Sequence, residues 1–179
     1  MRLFVCVPRS VGSGGRVMAL VASIRPMENE HVDAVVAIDH ASYPTPWTDQ
    51  AYRTELRNRS AVYIVAEGWD GRVLGYAGMW IVVDEMHVTT VAVDPGLRRM
   101  GIARRLLIAL CREGMERGAG RMTLEVRSRN LAAIALYEQL GFERQGRRRG
   151  YYQDTGDDAI IMWQDNVQSV LRLAEGDAA

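Results

Sequence analysis

The chain has 179 residues, of which 48% are hydrophobic, and its 22 basic and 22 acidic residues give a formal net charge of zero. This length and hydrophobic share suffice for one domain with a sizeable core, and the balanced charge argues against a bulk polyanion as partner. All 22 basic residues are arginine, and the chain has no lysine.

The cysteines and histidines give no metal-ligand or disulfide pattern. Cys6 and Cys111 are far apart in sequence, and His31, His40 and His87 form no closely spaced ligand pair. Such usage is typical of a protein in a reducing compartment. We therefore expect a cytoplasmic location and no bound metal.

The N-terminal region resembles a secretion signal only superficially. The apolar run at residues 3–7 is too short and is broken by Pro8 and Arg9. Residues 17–23 end in small side chains, as a cleavage site does, but they lead directly into a first strand. No segment reaches the roughly 20 apolar residues that span a membrane. We expect a disordered extension at 1–17, a folded domain at 18–164, and a tail at 165–179 that can form a short helix.

Hydrophobic periodicity, turn residues and helix caps divide the first half of the chain into strands and helices. In chain order these patterns predict a strand at 22–25, a helix at 27–40, a proline-containing loop at 42–48, a helix from 48 to about 57, strands at 61–67 and 73–82 joined by an Asp70–Gly71 turn, and a strand at 86–93.

A glycine with flanking arginines follows the strand at 86–93. The hexad Arg98-x-x-Gly101-x-Ala103 lies where a helix begins, and the first N–H groups of a helix lack partners within it. These donors and the positive end of the helix attract phosphate, and the nearby arginines favour a pyrophosphate. An ordinary helix start explains the hexad equally well. A dinucleotide-binding Rossmann turn is excluded because Gly-x-Gly-x-x-Gly is absent.

The second half of the chain also alternates between predicted helices and strands. The patterns predict a helix at 102–118 with Leu106, Leu107, Leu110 and Met115 on one face, a strand at 122–126, a helix at 131–140, strands at 142–145 and 159–163, and a basic segment at 147–152 between those two strands.

Several strings together resemble the GNAT superfamily of acetyl-CoA-dependent N-acetyltransferases, and within it the bacterial enzymes that acetylate the N-terminal alanine of a ribosomal protein. The similarity covers roughly residues 23–163. It is carried by the Arg98-x-x-Gly101-x-Ala103 hexad, Leu124-Glu125-Val126-Arg127-x-x-Asn130, Ala133-Ile134-Ala135-Leu136-Tyr137-Glu138-x-Leu140-Gly141-Phe142, Tyr151-Tyr152, and Asp157-Asp158-Ala159-Ile160-Ile161-Met162.

The resemblance implies a fold and a cofactor. The fold is the GNAT fold of the α/β (α+β) class: a mixed, mostly antiparallel sheet of six to seven strands, splayed after the fourth strand, with about four helices on its faces. The splay would leave backbone groups of the fourth strand open to the pantetheine amides of acetyl-CoA. The implied contacts are Val91, Ala92 and Val93 for pantetheine, Arg98, Arg99, Met100, Gly101, Ile102, Ala103 and Arg104 for the pyrophosphate, and Asn130 from the following helix.

The resemblance also implies the catalytic pair. Glu125 matches the family's base and Tyr137 matches its acid, which would donate a proton to the departing thiolate. From the residues alone, a salt-bridged strand carboxylate and a core aromatic remain open as readings. His87 is a second candidate base, and we assign it an auxiliary or structural role because the first helical loop has no glutamate to pair with it.

The implied substrate is a protein N-terminus held between residues 44–48 and 149–154. Tyr43, Trp47, Tyr151 and Tyr152 are the candidate walls of this cleft, with His87 beside it; loop packing is the alternative for each. Arg144 and residues 147–149 with the two tyrosines also resemble an RNA-binding patch, but the zero net charge favours a solvated hairpin. We expect neither a membrane nor a nucleic acid as partner, apart from incidental proximity to the ribosome.

Two other functions remain open at this point. One is an N-terminal or lysine acetyltransferase of broader specificity. The other is a non-catalytic acyl-CoA-binding module that regulates a partner, which the joint presence of Glu125, Asn130 and Tyr137 disfavours.

Overall fold

The computed structural model describes residues 21–176. The extension predicted at 1–17 and the last three residues of the tail therefore lie outside the described residues, and the domain boundaries stay predictions. The described residues divide into two units: the first comprises 21–78 and Thr90–Ala109, and the second comprises Met79–Thr89 and 110–176.

The first unit contains the N-terminal strands and helices. Its complete elements are β1 (Val21–Pro26), α1 (Val32–Ser42), α2 (Asp49–Glu55) and β2 (Ala61–Gly68). The helix α2 begins where Thr48 caps it, since the Thr48 hydroxyl accepts a hydrogen bond from the Ala51 N–H at 3.2 Å. After β2, Gly71 adopts a left-handed φ of 79°, and this turn leads the chain into β3 (Val73–Val82).

The second unit contains the C-terminal strands and helices. Three elements have residues in both units: β3 enters the second unit at Met79, β4 (Glu85–Val93) begins in the second unit and ends in the first, and α3 (Ile102–Glu116) enters the second unit at Leu110. Its complete elements are β5 (Arg121–Arg127), α4 (Leu131–Gln139), β6 (Glu143–Tyr152), β7 (Asp157–Gln164) and α5 (Val167–Gly176). No helix of residues 21–176 is both long and apolar enough to cross a membrane.

The seven strands form one mixed sheet in the order β1-β2-β3-β4-β5-β7-β6. The pairs β1–β2, β5–β7 and β6–β7 are antiparallel, whereas β4 and β5 are parallel. The register of β4 with β5 comprises three residue pairs, from Glu85–Arg121 to His87–Thr123, and β4 runs on to Val93. The predicted mixed, mostly antiparallel sheet is confirmed.

The core of the first unit lies under α1 and α2. Its buried residues come from both helices, from the turn before α1 and from three strands; they are Met27, Val32, Val35, Ile38, Tyr52, Tyr63, Val65, Tyr76 and Ala92. Tyr43 and Trp47, from the loop between the two helices, pack against this cluster. The loop is thereby fixed to the core on its apolar side.

The core of the second unit is built on α3, β5, β7 and α5. A Cβ at Gly114 would meet the Met86 sulfur at 2.0 Å, so this glycine permits a close approach of the helix to the strand. Cys111 is fully buried beside Met122, and burial raises the pKa of its thiol to about 12. The tail helix α5 packs Val167 and Val170 into the same core.

Two element predictions need correction. The helix predicted to begin at residue 27 begins at Val32, because a 3-10 turn at Asn29–His31 precedes it and the His31 Nδ1 accepts the Glu28 N–H at 2.8 Å. The short helix predicted in the tail is present as α5, which makes five α-helices among the described residues. The strand predicted at 142–145 extends as β6 to Tyr152, since its arginines suit the charged edge of a sheet.

Candidate active site

The end of β4 that the resemblance assigns to pantetheine is held by side chains of the first unit. The Tyr43 hydroxyl donates a hydrogen bond to the Val91 carbonyl at 2.7 Å. Ala92 and Val93 are buried, and a Cβ at Gly75 would lie 2.8 Å from the Ala92 carbonyl oxygen. The backbone at this strand end is therefore fixed from the loop before α2 and from β3.

Behind this strand end lies a set of buried and half-buried polar groups that we call the Asp39 network: Asp39, Tyr43, Tyr52, Tyr76 and Thr90. The Asp39 carboxylate, 2% exposed, accepts from the Tyr76 hydroxyl and from the Trp47 backbone N–H, the latter at 2.6 Å. The Tyr52 and Tyr76 hydroxyls are 2.8 Å apart. The Thr90 hydroxyl lies 3.4 Å from the Tyr76 hydroxyl and 3.5 Å from that of Tyr43.

The sequence analysis missed Asp39, although a signal was present. Val32, Val35 and Asp39 recur at the three- and four-residue spacing of one helix face. An acidic residue in line with two apolar ones predicts a buried carboxylate with hydrogen-bonding partners. Here those partners tie the loop at Trp47 to β3 at Tyr76.

Burial controls the ionisation of this network. Desolvation raises the pKa of the Tyr43, Tyr52 and Tyr76 hydroxyls above the ordinary value. All three phenols therefore act as neutral hydrogen-bonding groups at physiological pH.

The turn between β4 and α3 has the conformation expected of an anion cradle. Arg99 and Gly101 both take left-handed φ values, 65° and 72°, and a Cβ at Gly101 would meet nothing within 4 Å. Alternation of left-handed residues turns successive N–H groups towards one concave side. The turn then opens into the N-terminus of the 15-residue helix α3. The Arg98 guanidinium lies 3.4 Å from the Ser42 hydroxyl.

The remaining cofactor and acid candidates lie on α4. Asn130 caps this helix, its side-chain oxygen accepting the Ala133 N–H at 3.2 Å. Tyr137 is 9% exposed, and its ring centroid is 5.8 Å from that of Phe142. One face of α4 thus keeps the Tyr137 ring packed in the second unit.

Glu125, the candidate base, lies on β5 beneath the hairpin formed by β6 and β7. Its side chain is 28% exposed, and its Oε1 is 2.8 Å from the Arg148 guanidinium. The Tyr151 hydroxyl is hydrogen-bonded to the Glu125 carboxylate, which raises the pKa of Tyr151. The Tyr152 hydroxyl donates to the Glu125 backbone carbonyl at 3.3 Å. Two of the predicted substrate-wall tyrosines therefore meet the predicted base.

A second arginine fixes the end of the same hairpin. Arg127 binds the Asp154 carboxylate through two nitrogens, at 3.0 and 2.6 Å, and its guanidinium lies 4.0 Å from the centre of the Tyr152 ring. Hydrogen bonding to Asp154 raises the pKa of Arg127. A planar pair of this kind holds Tyr152 in place.

Two further substrate candidates, His87 and Trp47, contact other side chains. The His87 Nε2 lies 3.3 Å from a Glu85 carboxylate oxygen, and its ring meets that of Trp163 edge-on at 6.5 Å. The ring of Trp47 lies 5.5 Å from that of Tyr52. Both contacts fit structural roles, so a substrate contact by either residue stays a prediction.

Three of the four arginines in the suggested RNA patch have carboxylate partners. Arg144 lies 2.7 Å from Glu138, Arg147 donates to Asp158 at 2.6 Å, and Arg148 reaches Glu125. The charge of this edge is therefore largely balanced within the chain.

Comparison with known proteins places these features in a family. The profile of the acetyltransferase (GNAT) family matches residues 32–142. A Bacillus subtilis relative, named as a candidate ribosomal protein bS18-alanine N-acetyltransferase, is 39% identical over 150 residues, 82% of this chain and 97% of its own length. N-alpha-acetyltransferase RimI of Mycobacterium tuberculosis is 41% identical over 125 residues, 68% of this chain and 77% of its own length.

A solved structure agrees with the sequence matches. The crystal structure of the ribosomal-protein-S18-alanine N-acetyltransferase from Escherichia coli aligns with a TM-score of 0.72 and 34% identity, covering 79% of this chain and 91% of that one. The chain belongs to the acetyltransferase (GNAT) family.

Proposed function

We propose that the chain transfers the acetyl group of acetyl-CoA to the N-terminal α-amine of a protein, with the terminal alanine of a small-subunit ribosomal protein as substrate. The names of the Bacillus subtilis and Escherichia coli relatives support this choice of amine and substrate. A ribosomal substrate also agrees with the expected cytoplasmic location.

The surroundings of Glu125 carry the proposal. A half-buried carboxylate on β5 is flanked by the Tyr151 hydroxyl at its side chain and by the Tyr152 hydroxyl at its backbone. A carboxylate beside one exposed and one half-buried phenol group suits an amine that arrives with a proton and must lose it. A purely structural strand carboxylate would need neither tyrosine.

The groups assigned to acetyl-CoA have the required chemistry. The turn at residues 98–104 offers left-handed backbone at Arg99 and Gly101, arginine charge and a helix N-terminus, which together fit a pyrophosphate. The strand end at residues 91–93 would provide main-chain groups for the pantetheine amides, with its backbone held by Tyr43. Asn130 is the further contact that the resemblance assigns.

The proposed reaction is direct attack of the amine on the thioester in a ternary complex. Acetyl-CoA supplies the activated acetyl group. Glu125 accepts the proton of the amine, directly or through water, and Tyr137 donates its hydroxyl proton to the departing thiolate. A proton is thus removed at the nucleophile and supplied at the leaving group.

The pKa values of the two kinds of amine favour an N-terminus over a lysine as the substrate group. An α-amino group with a pKa of about 8 is partly neutral at pH 7, whereas a lysine with a pKa near 10.4 is about 0.04% neutral. A modest base therefore suffices for the N-terminus, while a lysine requires additional desolvation.

The test is acetyl transfer to a matched set of peptides. The full chain is mixed with acetyl-CoA and peptides that begin with Ala, Ser or Met, or that are blocked at the N-terminus and carry an internal lysine. We expect the alanine peptide to gain one acetyl group at its α-amine, measured by mass spectrometry. Acetylation of the lysine peptide at an equal rate would favour broader specificity, and cofactor binding without any turnover would favour a non-catalytic module.

The acid is tested by Tyr137→Phe. We expect kcat to fall by about 100-fold or more, because general acid catalysis contributes about 10²- to 10⁴-fold, with little change in acetyl-CoA affinity. Steady-state kinetics and calorimetric titration with CoA measure the two quantities. Unchanged turnover would reject Tyr137 as the acid.

A further inference from the structure

Arg148 reaches Glu125 across an intervening strand. In the antiparallel registers, Glu125 pairs with Ile161 of β7, and Ala159 of β7 pairs with Arg127 on one side and Arg148 on the other. Paired residues and residues two apart share a face of a sheet. Because Ala159 is small, the Arg148 side chain passes over β7 to the Glu125 carboxylate.

A bulge in β6 follows Arg148 and contains the next tyrosine. Between the pairs Arg148–Ala159 and Tyr152–Asp157, β6 has two more residues than β7, and Gly150 within the bulge takes a left-handed φ of 57°. Bulges re-aim side chains and are frequent beside active sites. Here Tyr151, within the bulge, interacts with the Glu125 carboxylate that Arg148 contacts, and the Arg148 guanidinium lies 5.4 Å from the Tyr151 ring centre.

The Arg148–Glu125 ion pair should cost little free energy to break. The Arg148 side chain is 55% exposed, so its guanidinium returns to water when the contact breaks. Exposed pairs of this kind add little to stability. Arg127 is the opposite case on the same face: it is 21% exposed and binds Asp154 through two nitrogens.

The occupied oxygen is one that the proposed reaction needs. The Glu125 Oε1 accepts from the Arg148 guanidinium at 2.8 Å, so a second cation at the same oxygen would meet the like charge of Arg148. The α-ammonium of a peptide carries the same charge and also donates N–H bonds. It is smaller than a guanidinium and, with its pKa of about 8, largely charged at pH 7.

We propose that Arg148 occupies on Glu125 the site of the peptide's α-ammonium group, and that a peptide binds by displacing the Arg148 guanidinium. This inference rests on the proposed function. Arg148 is then a specificity-determining residue, because only a ligand that brings its own cation replaces it without leaving the Glu125 carboxylate without a cationic partner. A peptide without a free α-amine gains nothing from the exchange.

Binding without turnover tests the exchange. The full chain, saturated with CoA, is titrated calorimetrically at pH 7 with an alanine-first peptide and with the same peptide carrying a propionyl group in place of the terminal alanine, which removes only the amine. We expect Arg148→Ala to bind the amine peptide about two- to fivefold more tightly than the unsubstituted chain, as expected for removal of an exposed competing pair. The propionyl peptide should bind equally to both.

Two variants separate the exchange from a structural effect. Arg148→Lys keeps a competing cation and should return the affinity for the amine peptide to near that of the unsubstituted chain. Arg147→Ala removes a neighbouring arginine, paired with Asp158, and should change neither affinity. Circular dichroism confirms that each variant is folded.

Each contrary result has a distinct meaning. Unchanged or weaker binding of the amine peptide by Arg148→Ala, or an equal change for both peptides, would overturn the exchange while acetyl transfer by the unsubstituted chain still supports the proposed function. If the unsubstituted chain neither acetylates nor binds the amine peptide, the proposed function fails, and the exchange fails with it.

Discussion

The Asp39 network and the β6–β7 hairpin use opposite means to hold a polar group. In the network, a 2% exposed carboxylate and neutral phenols are hydrogen-bonded inside the first unit. In the hairpin, arginines that are 55% and 60% exposed at Arg148 and Arg147 bind carboxylates in contact with water. One arrangement depends on excluding water, and the other tolerates it.

The difference indicates which region can rearrange. A buried donor that loses its acceptor keeps the full cost of desolvation, whereas an exposed charge that loses its partner is hydrated again. The strand end beside Val91 should therefore stay fixed, and the surroundings of Glu125 should adapt to a ligand. This contrast leads to three predictions about stability.

The largest effect is expected for Asp39→Ala. The substitution leaves the Tyr76 hydroxyl and the Trp47 N–H without their acceptor in a buried site. We expect the free energy of unfolding to fall by about 3 to 5 kcal/mol, since hydrogen bonds to a charged group contribute about 1.5 to 3 kcal/mol each. Urea unfolding measures it.

A carboxylate on the same helix is the control for Asp39. Asp33 is 89% exposed, with an Arg53 nitrogen at 3.5 Å. Asp33→Ala should change the free energy of unfolding by no more than about 0.5 kcal/mol. Equal losses from the two variants would contradict the contrast between buried and exposed groups.

The next effect is a loss of stability at alkaline pH. Burial raises the pKa of Tyr43, Tyr52 and Tyr76 in the folded chain, so above pH 10 the unfolded chain loses these protons first. Their contribution is fully present below about pH 10 and is lost as the pH rises towards the folded values. The slope is up to about 1.4 kcal/mol per pH unit for each phenol.

The slope is measured by urea unfolding between pH 9 and 11. Tyr52→Phe removes one of the three phenols. It should therefore reduce the part of the pH slope that the three phenols contribute to the free energy of unfolding by about one third. An identical slope in this variant would show that ionisation of the network phenols does not cause the loss of stability at alkaline pH.

The smallest effects separate the two arginines on one face of the sheet. Arg127→Gln breaks the two-nitrogen pair with Asp154 and should lower the free energy of unfolding by about 1 to 2 kcal/mol. Arg148→Ala should change it by no more than about 0.5 kcal/mol, because that pair is exposed. Thermal or urea unfolding of both variants measures the difference. A larger loss from Arg148→Ala would mean that this arginine is a structural clamp.

Local signals predicted the order of the elements well. The strand predicted at 73–82 has the bounds of β3, and the predicted Asp70–Gly71 turn and start of α3 at Ile102 are also confirmed. These features are predictable because turn glycines and the hydrophobic period are properties of residues close together in the sequence. β6 was predicted too short because its basic residues lack a strand's alternation. Hydrogen bonding to β7, which the β6 residues do not themselves reveal, keeps β6 extended.

The site was predictable where a motif carries it and not where partners are distant in sequence. The resemblance selects the hexad and Glu125 from strings of neighbouring residues, and their roles stay proposals. The contact of Arg148 with Glu125 joins residues on strands β6 and β5, with β7 between them, and depends on strand registers that no local pattern encodes. Asp39 is a different case: its helical spacing is visible in the sequence, but the sequence analysis did not single it out.

The bulge at residues 149–151 has a consequence for how such a chain can diversify. β6 keeps its register with β7 from Gly146 to Arg148, and the surplus residues are absorbed before Tyr152 pairs with Asp157. Insertions or deletions at this point would lengthen or shorten the tip without shifting Glu125 or the strand that carries it. Under the proposed contact of this hairpin with the peptide, recognition of new N-termini could evolve by changes in hairpin length, separately from the acetyl-transfer chemistry.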